Sequence, residues 1–138
     1  MNNQYPKGSE WRIWDLHIHT PASFHWEAGR RFSEMDIGEK NVCIKDIISV
    51  LNDSNVDVFC IMDYWTFDGY FAIKHFLANN PSITLKKKLL PGIELRIEAP
   101  TDFRLNIHSI ISDEVSDQEL IDFLNSLEIL HLEKPLSR

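Results

Sequence analysis

The segment Asp15-Leu16-His17-Ile18-His19 has the residue types and spacing that point most directly to chemistry. In an extended chain, residues two apart face the same way, so His17 and His19 present two imidazoles side by side. Neutral imidazoles at that spacing suit a borderline metal such as zinc, manganese or iron. Asp15 shares the face and is placed either to orient a histidine or to lie beneath the pair as an outer partner. The plainer reading of the same residues is two histidines on a half-exposed strand.

Three further positions carry groups of the same kind. Asp63 ends the apolar run 56–62, where it serves either as a cap or turn residue or as a ligand. Glu94 follows Pro91-Gly92-Ile93 and precedes Leu95, and a carboxylate among apolar neighbours needs a partner, because burying an unpaired charge is expensive. A metal is a natural partner, and a carboxylate can bridge two ions. His108, in Asn106-Ile107-His108, reads singly as a core histidine satisfied by a hydrogen bond and in company as another ligand. His25 stands alone in a loop and reads as solvated, and Trp65, beside Asp63, is a candidate substrate-facing ring.

These residues need elements to hold them. Residues 11–19 alternate bulky and polar types at period two, as a strand does. Residues 20–40 mix Pro, Gly, charges and aromatics without period and read as a long active-site loop. Helical spacing covers 42–52, a buried-strand run covers 56–62, and a second helix covers 69–78, stopped by Asn79-Asn80-Pro81. Strands follow at 89–98, interrupted at Pro91-Gly92, and at 103–111. A capping-box pattern, Ser116 to Glu119, opens a third helix through 128. Alternating strands and helices predict an α/β domain with mainly parallel strands, whose chemistry gathers at the C-terminal strand ends. His17, His19, Asp63, Glu94 and His108 all fall at or near such ends.

The chain has 138 residues and reads as one domain, 1–138, long enough to bury a core. Lys and Arg number 14 against 21 Asp and Glu, a net charge of −7, which argues against a broad basic face for nucleic acid. A phosphate substrate stays compatible with that charge if bound divalent ions supply positive charge locally. Cys43 and Cys60 form no CxxC pair and read as reduced thiols. No run is long and apolar enough to span a membrane and residues 1–10 lack a signal-peptide core, so the expectation is a cytoplasmic protein.

Taken in order, Asp15-Leu16-His17-Ile18-His19-Thr20-Pro21-Ala22-Ser23, then Cys60-Ile61-Met62-Asp63-Tyr64, then Pro91-Gly92-Ile93-Glu94, then His108 resembles the PHP (polymerase and histidinol phosphatase) family. The lead-in Ser9-Glu10-Trp11-Arg12, with Asp63-Tyr64-Trp65 and Leu105-Asn106-Ile107-His108-Ser109, looks like the PHP domain that opens TrlF-type AAA-like ATPases. The resemblance covers residues 10–130. It implies a (β/α) barrel of seven strands with two or three divalent ions, zinc, manganese or iron, that hydrolyses phosphate esters. By position it implies that His17 and His19 bind a first metal, Glu94 bridges, His108 binds a second and His25 a third, with Asp63 counted among the ligands. His17, His19, Glu94 and His108 would then carry catalysis.

Two departures shape the expectation. Tyr64 stands where the family's second motif has histidine, and no later Asp-x-His follows His108. The chain is therefore expected to be a partial (β/α) barrel of the PHP type with its C-terminal strands missing. The expected activity is metal-dependent hydrolysis of a phosphate-containing substrate, whether a nucleotide, a nucleic-acid end or a small phosphate ester. The rival expectation is a non-catalytic PHP remnant acting as an interaction or regulatory module of an ATPase system. An open sheet edge further predicts a homo-oligomer or dependence on a missing C-terminal partner.

Overall fold

A computed structural model describes residues 11–97, 105–129 and 134–135. Four strands, β1 (Trp14–Ile18), β2 (Val58–Ile61), β3 (Lys88–Ile97) and β4 (Leu105–Ile110), form one sheet in the order β1-β2-β3-β4. The β1–β2 and β2–β3 pairs are parallel and β3–β4 is antiparallel, and the sheet curls into a half-barrel. In chain order helix α1 (Ile37–Asp53) lies between β1 and β2, α2 (Asp68–Asn79) between β2 and β3, and α3 (Asp117–Ser126) after β4. Two short strands, β5 (Glu128–Ile129) and β6 (Lys134–Pro135), pair antiparallel beyond α3.

The core lies between one face of the sheet and the helices. Ile44 and Ile48 of α1, Tyr70 and Ile73 of α2 and Leu120 of α3 pack with Ile61 and Ile93 of the strands, together with Phe32 and Phe67. Because strand side chains alternate, burying Ile93 on the helix side turns Gly92 and Glu94 to the opposite, helix-free face. Gly92 has no Cβ there for a structural reason: one would collide with Cys60 Sγ and crowd Met62 Cε, both buried beneath it.

Two boundaries differ from the sequence reading. The loop expected over 20–40 ends early, because Asp36 caps α1: its side chain accepts from Glu39 N at 2.8 Å, and Glu39 Oε2 accepts from Asp36 N at 3.0 Å. This box adds the first turn, and Asp36→Ala is expected to lower stability by about 1 kcal/mol in chemical denaturation. The expected break at Pro91-Gly92 is absent. Pro91 needs only its carbonyl in the ladder, where it accepts from Ile111 N at 2.9 Å. At that point β3 exchanges partners, residues 88–91 pairing with β2 and 92–97 with β4. The expected box at Ser116 is present and opens α3.

Candidate metal centre

β1 carries the first two groups, and its register explains how they converge. Asp15 pairs with Phe59 and Ile18 with Ile61, so β1 holds one more residue than β2 over that stretch. Such a bulge bends a strand and re-aims its side chains. The Nε2 atoms of His17 and His19 lie 3.1 Å apart. Glu94 Oε2 lies 3.1 Å from His17 Nε2 and 3.3 Å from His19 Nε2.

These spacings can be tested against a metal. Ligand atoms about 2.0–2.1 Å from a tetrahedral zinc lie about 3.3 Å from one another, and neighbouring ligands of an octahedral ion with bonds of about 2.1 Å lie about 3.0 Å apart. The three observed edges fit one face of either polyhedron, and two imidazoles with one carboxylate are a suitable donor set. His17, His19 and Glu94 could therefore hold a metal ion.

Glu94 is almost fully buried. Its second oxygen, Oε1, accepts from Asn106 Nδ2 at 2.6 Å and lies 3.3 Å from His108 Nε2. Burial works against the carboxylate. Hydrogen bonds from Tyr64 and His108, with the charges of His17 and His108, outweigh it and hold its pKa below the ordinary value. Burial, then the neighbouring His17, hold the His19 pKa below the ordinary histidine value, while Glu94 pulls the other way. A depressed pKa keeps the His19 lone pair free at neutral pH, as a ligand requires.

His108 faces Glu94 directly across the β3–β4 ladder, and its ring sits 4.5 Å from that of His17. His25 is not brought to the carboxylate. It is exposed and packs edge-on against Tyr64, whose ring stacks on His19. Asp15 accepts from the backbone N of His17 at 3.2 Å, so its recorded contact is with the strand and not with an imidazole. Cys60 is fully buried outside the His17–His19–Glu94 group, and burial pushes its thiol up to about 12.

Asp63, counted by resemblance with the ligands, lies apart from the His17–His19–Glu94 group. It is fully buried, and its two oxygens accept from Thr20 N at 2.6 Å and Thr20 Oγ1 at 2.7 Å. It thus ties the end of β2 to the residue after His19. Burial pushes the Asp63 pKa up to about 7, against the lowering effect of both Thr20 bonds. The folded chain therefore holds this proton more tightly than an unfolded chain, in which aspartate titrates near about 3.9. The stability this contributes is complete below about pH 4 and is lost as pH rises to about 7, roughly 4 kcal/mol in all. Melting curves from pH 4.5 to 8 are expected to show that decline in the native chain and a flatter profile in Asp63→Asn. Equal slopes would refute the assignment.

Several neighbours were not singled out as site residues from the sequence. Asn106 precedes His108 by two and Arg96 follows Glu94 by two, so strand alternation alone places both on the site face. Ser23, fully buried, accepts from Tyr64 N at 3.0 Å and lies 3.5 Å from His19 Nδ1. Nothing in the sequence pattern signals that contact, or the one between Thr20 and Asp63. Trp65 adopts a left-handed backbone, φ 65°, with its N–H donating to Glu94 O at 3.2 Å. With Phe24, Arg31, Lys40 and Phe71 it lines a groove of about 800 Å³ that reaches Ser23 and Tyr64.

No protein-family model matches the chain, and no curated protein matches it.

Proposed function

We propose that this chain is a PHP-type, metal-dependent phosphoesterase domain, the N-terminal part of a (β/α) barrel. One observation carries the reading: His17, His19 and Glu94 converge from two strands that are not neighbours, with the spacing of metal ligands. A bound divalent ion would supply a water of lowered pKa and polarise a phosphoryl oxygen. His17 and His19, whose Nε2 atoms face Glu94 Oε2, would hold that ion. Glu94 presents one oxygen to that pair and the other to His108, which supports a bridging role between two ions. Asn106 orients the carboxylate by a hydrogen bond and also reaches the Tyr64 hydroxyl. His108, exposed beside Glu94 Oε1, would hold that second ion. The groove beside Tyr64 has room for the organic part of the ester, whether nucleotide, nucleic-acid end or small phosphate.

The test is elemental analysis of tag-free protein, followed by a screen of phosphate monoesters and diesters, with His17→Ala/His19→Ala as control. Metal held by the native chain and lost in the variant, with turnover that follows it, is the expected result. No metal in either after incubation with zinc, manganese and iron would overturn the reading.

A second reading, an interaction module that self-associates or docks within an ATPase system, is favoured by the sheet's edges. Among the described residues β1 and β4 are the two edge strands, and Trp14, Leu105 and Ile107 stand exposed along them. Light scattering that finds a clean monomer at high concentration would count against self-association. No helix among the described residues is long and apolar enough to cross a membrane.

A further inference from the structure

We infer that Arg96 forms an oxyanion-binding site at the margin of the His17–His19–Glu94 group, and that its ligand is a tetrahedral anion of the phosphate class. Alternation along β3 puts Gly92, Glu94 and Arg96 on the same face, and Arg96 lies opposite Asn106 in the β3–β4 ladder. The guanidinium carbon sits 4.9 Å from the centroid of the Tyr64 ring. That ring is itself fixed: it stacks on His19 at 5.1 Å and its hydroxyl accepts from Asn106 Nδ2 at 3.4 Å. The aromatic surface thus holds the cation beside the metal group instead of letting it swing into solvent.

The nearest buried acid does not account for this charge. Both oxygens of Glu94 are already engaged, Oε2 by His17 and His19, and Oε1 by Asn106 and His108. Among the described residues, no carboxylate oxygen lies within 4.0 Å of the Arg96 guanidinium. In a chain of net charge −7, an arginine that has no carboxylate partner among the described residues, at the edge of a histidine cluster, is a local reversal of sign. Local fields of that kind draw anions, and the planar guanidinium fork matches two oxygens of a phosphate. A neutral ester or amide would leave the fork without a partner. The site therefore selects a substrate that is anionic at its reacting centre.

This deepens the phosphoesterase reading, though anion binding itself does not require metal. The experiment is titration of the whole chain with inorganic phosphate, followed by calorimetry and phosphorus NMR, both after chelation and after manganese loading. Native protein, Arg96→Gln and Arg96→Lys are compared, with melting temperature and metal content measured on each. Phosphate affinity is expected to fall about 10-fold or more in Arg96→Gln in both metal states, with partial retention in Arg96→Lys. Fold and metal content should stay at native levels. Phosphate binding that is equal in native and Arg96→Gln protein, or absent from the native chain, would overturn the inference. If the native chain binds no manganese but its phosphate binding still depends on Arg96, the anion site stands and the metal-dependent reading fails.

Discussion

Exchanging Glu94 for glutamine is expected to lower the affinity for zinc or manganese by more than about 100-fold, beyond the loss typical of an outer partner. The amide keeps the shape but has one acceptor oxygen where the carboxylate has two, and it carries no charge. In the native chain Oε2 faces both histidines while Oε1 takes the Asn106 N–H and faces His108, so a glutamine cannot serve both sides. The metal-free fold should suffer little, because removing a buried charge offsets part of the lost hydrogen bonding. Equilibrium dialysis with metal analysis measures the first effect and chemical denaturation the second. Undiminished metal uptake by Glu94→Gln would show that Glu94 is not a ligand.

The second large effect belongs to a residue with no functional group. Gly69 sits in the first turn of α2, where alanine would ordinarily stabilise a helix by up to about 1 kcal/mol. Here a Cβ would fall well inside contact distance of Asp63 Oδ2 and Thr20 Oγ1. Those two atoms are joined by a 2.7 Å hydrogen bond in residues that are almost wholly buried, so neither can move aside freely. Gly69→Ala is therefore expected to destabilise the chain by about 3 kcal/mol. Thr20 follows His19, so the displacement should also weaken metal uptake. A melting temperature equal to or above that of the native chain would refute the packing argument.

The fold and the site were legible to different degrees, for physical reasons. Period-two alternation in β1 and the apolar run of β2 reported strands because each leaves a local trace in side-chain polarity. The same rule put His17 with His19, and it would have placed Arg96 with Glu94 and Asn106 with His108 had it been extended two residues further. The α1 start was hidden because Asp36 and Glu39 form their box inside a stretch without hydrophobic period. The part Asp63 plays was not readable. A carboxylate at a strand end looks the same whether it binds an ion or a threonine 43 residues away, and only the folded chain distinguishes them. The bulge in β1 likewise depends on its pairing with β2, not on any residue type within it.

The separation of the groups along the chain orders events during synthesis. His17 and Glu94 are 77 residues apart, and β2 must stand between their strands before they meet. At about 5–20 residues per second, roughly 4–15 s pass between the two leaving the peptidyl-transferase centre. During that interval the nascent chain has only a pair of imidazoles to offer, a weak and unselective chelate. Capture of an ion by this group would thus wait until β3 has docked, and a folded surface, not the emerging polypeptide, would choose the metal.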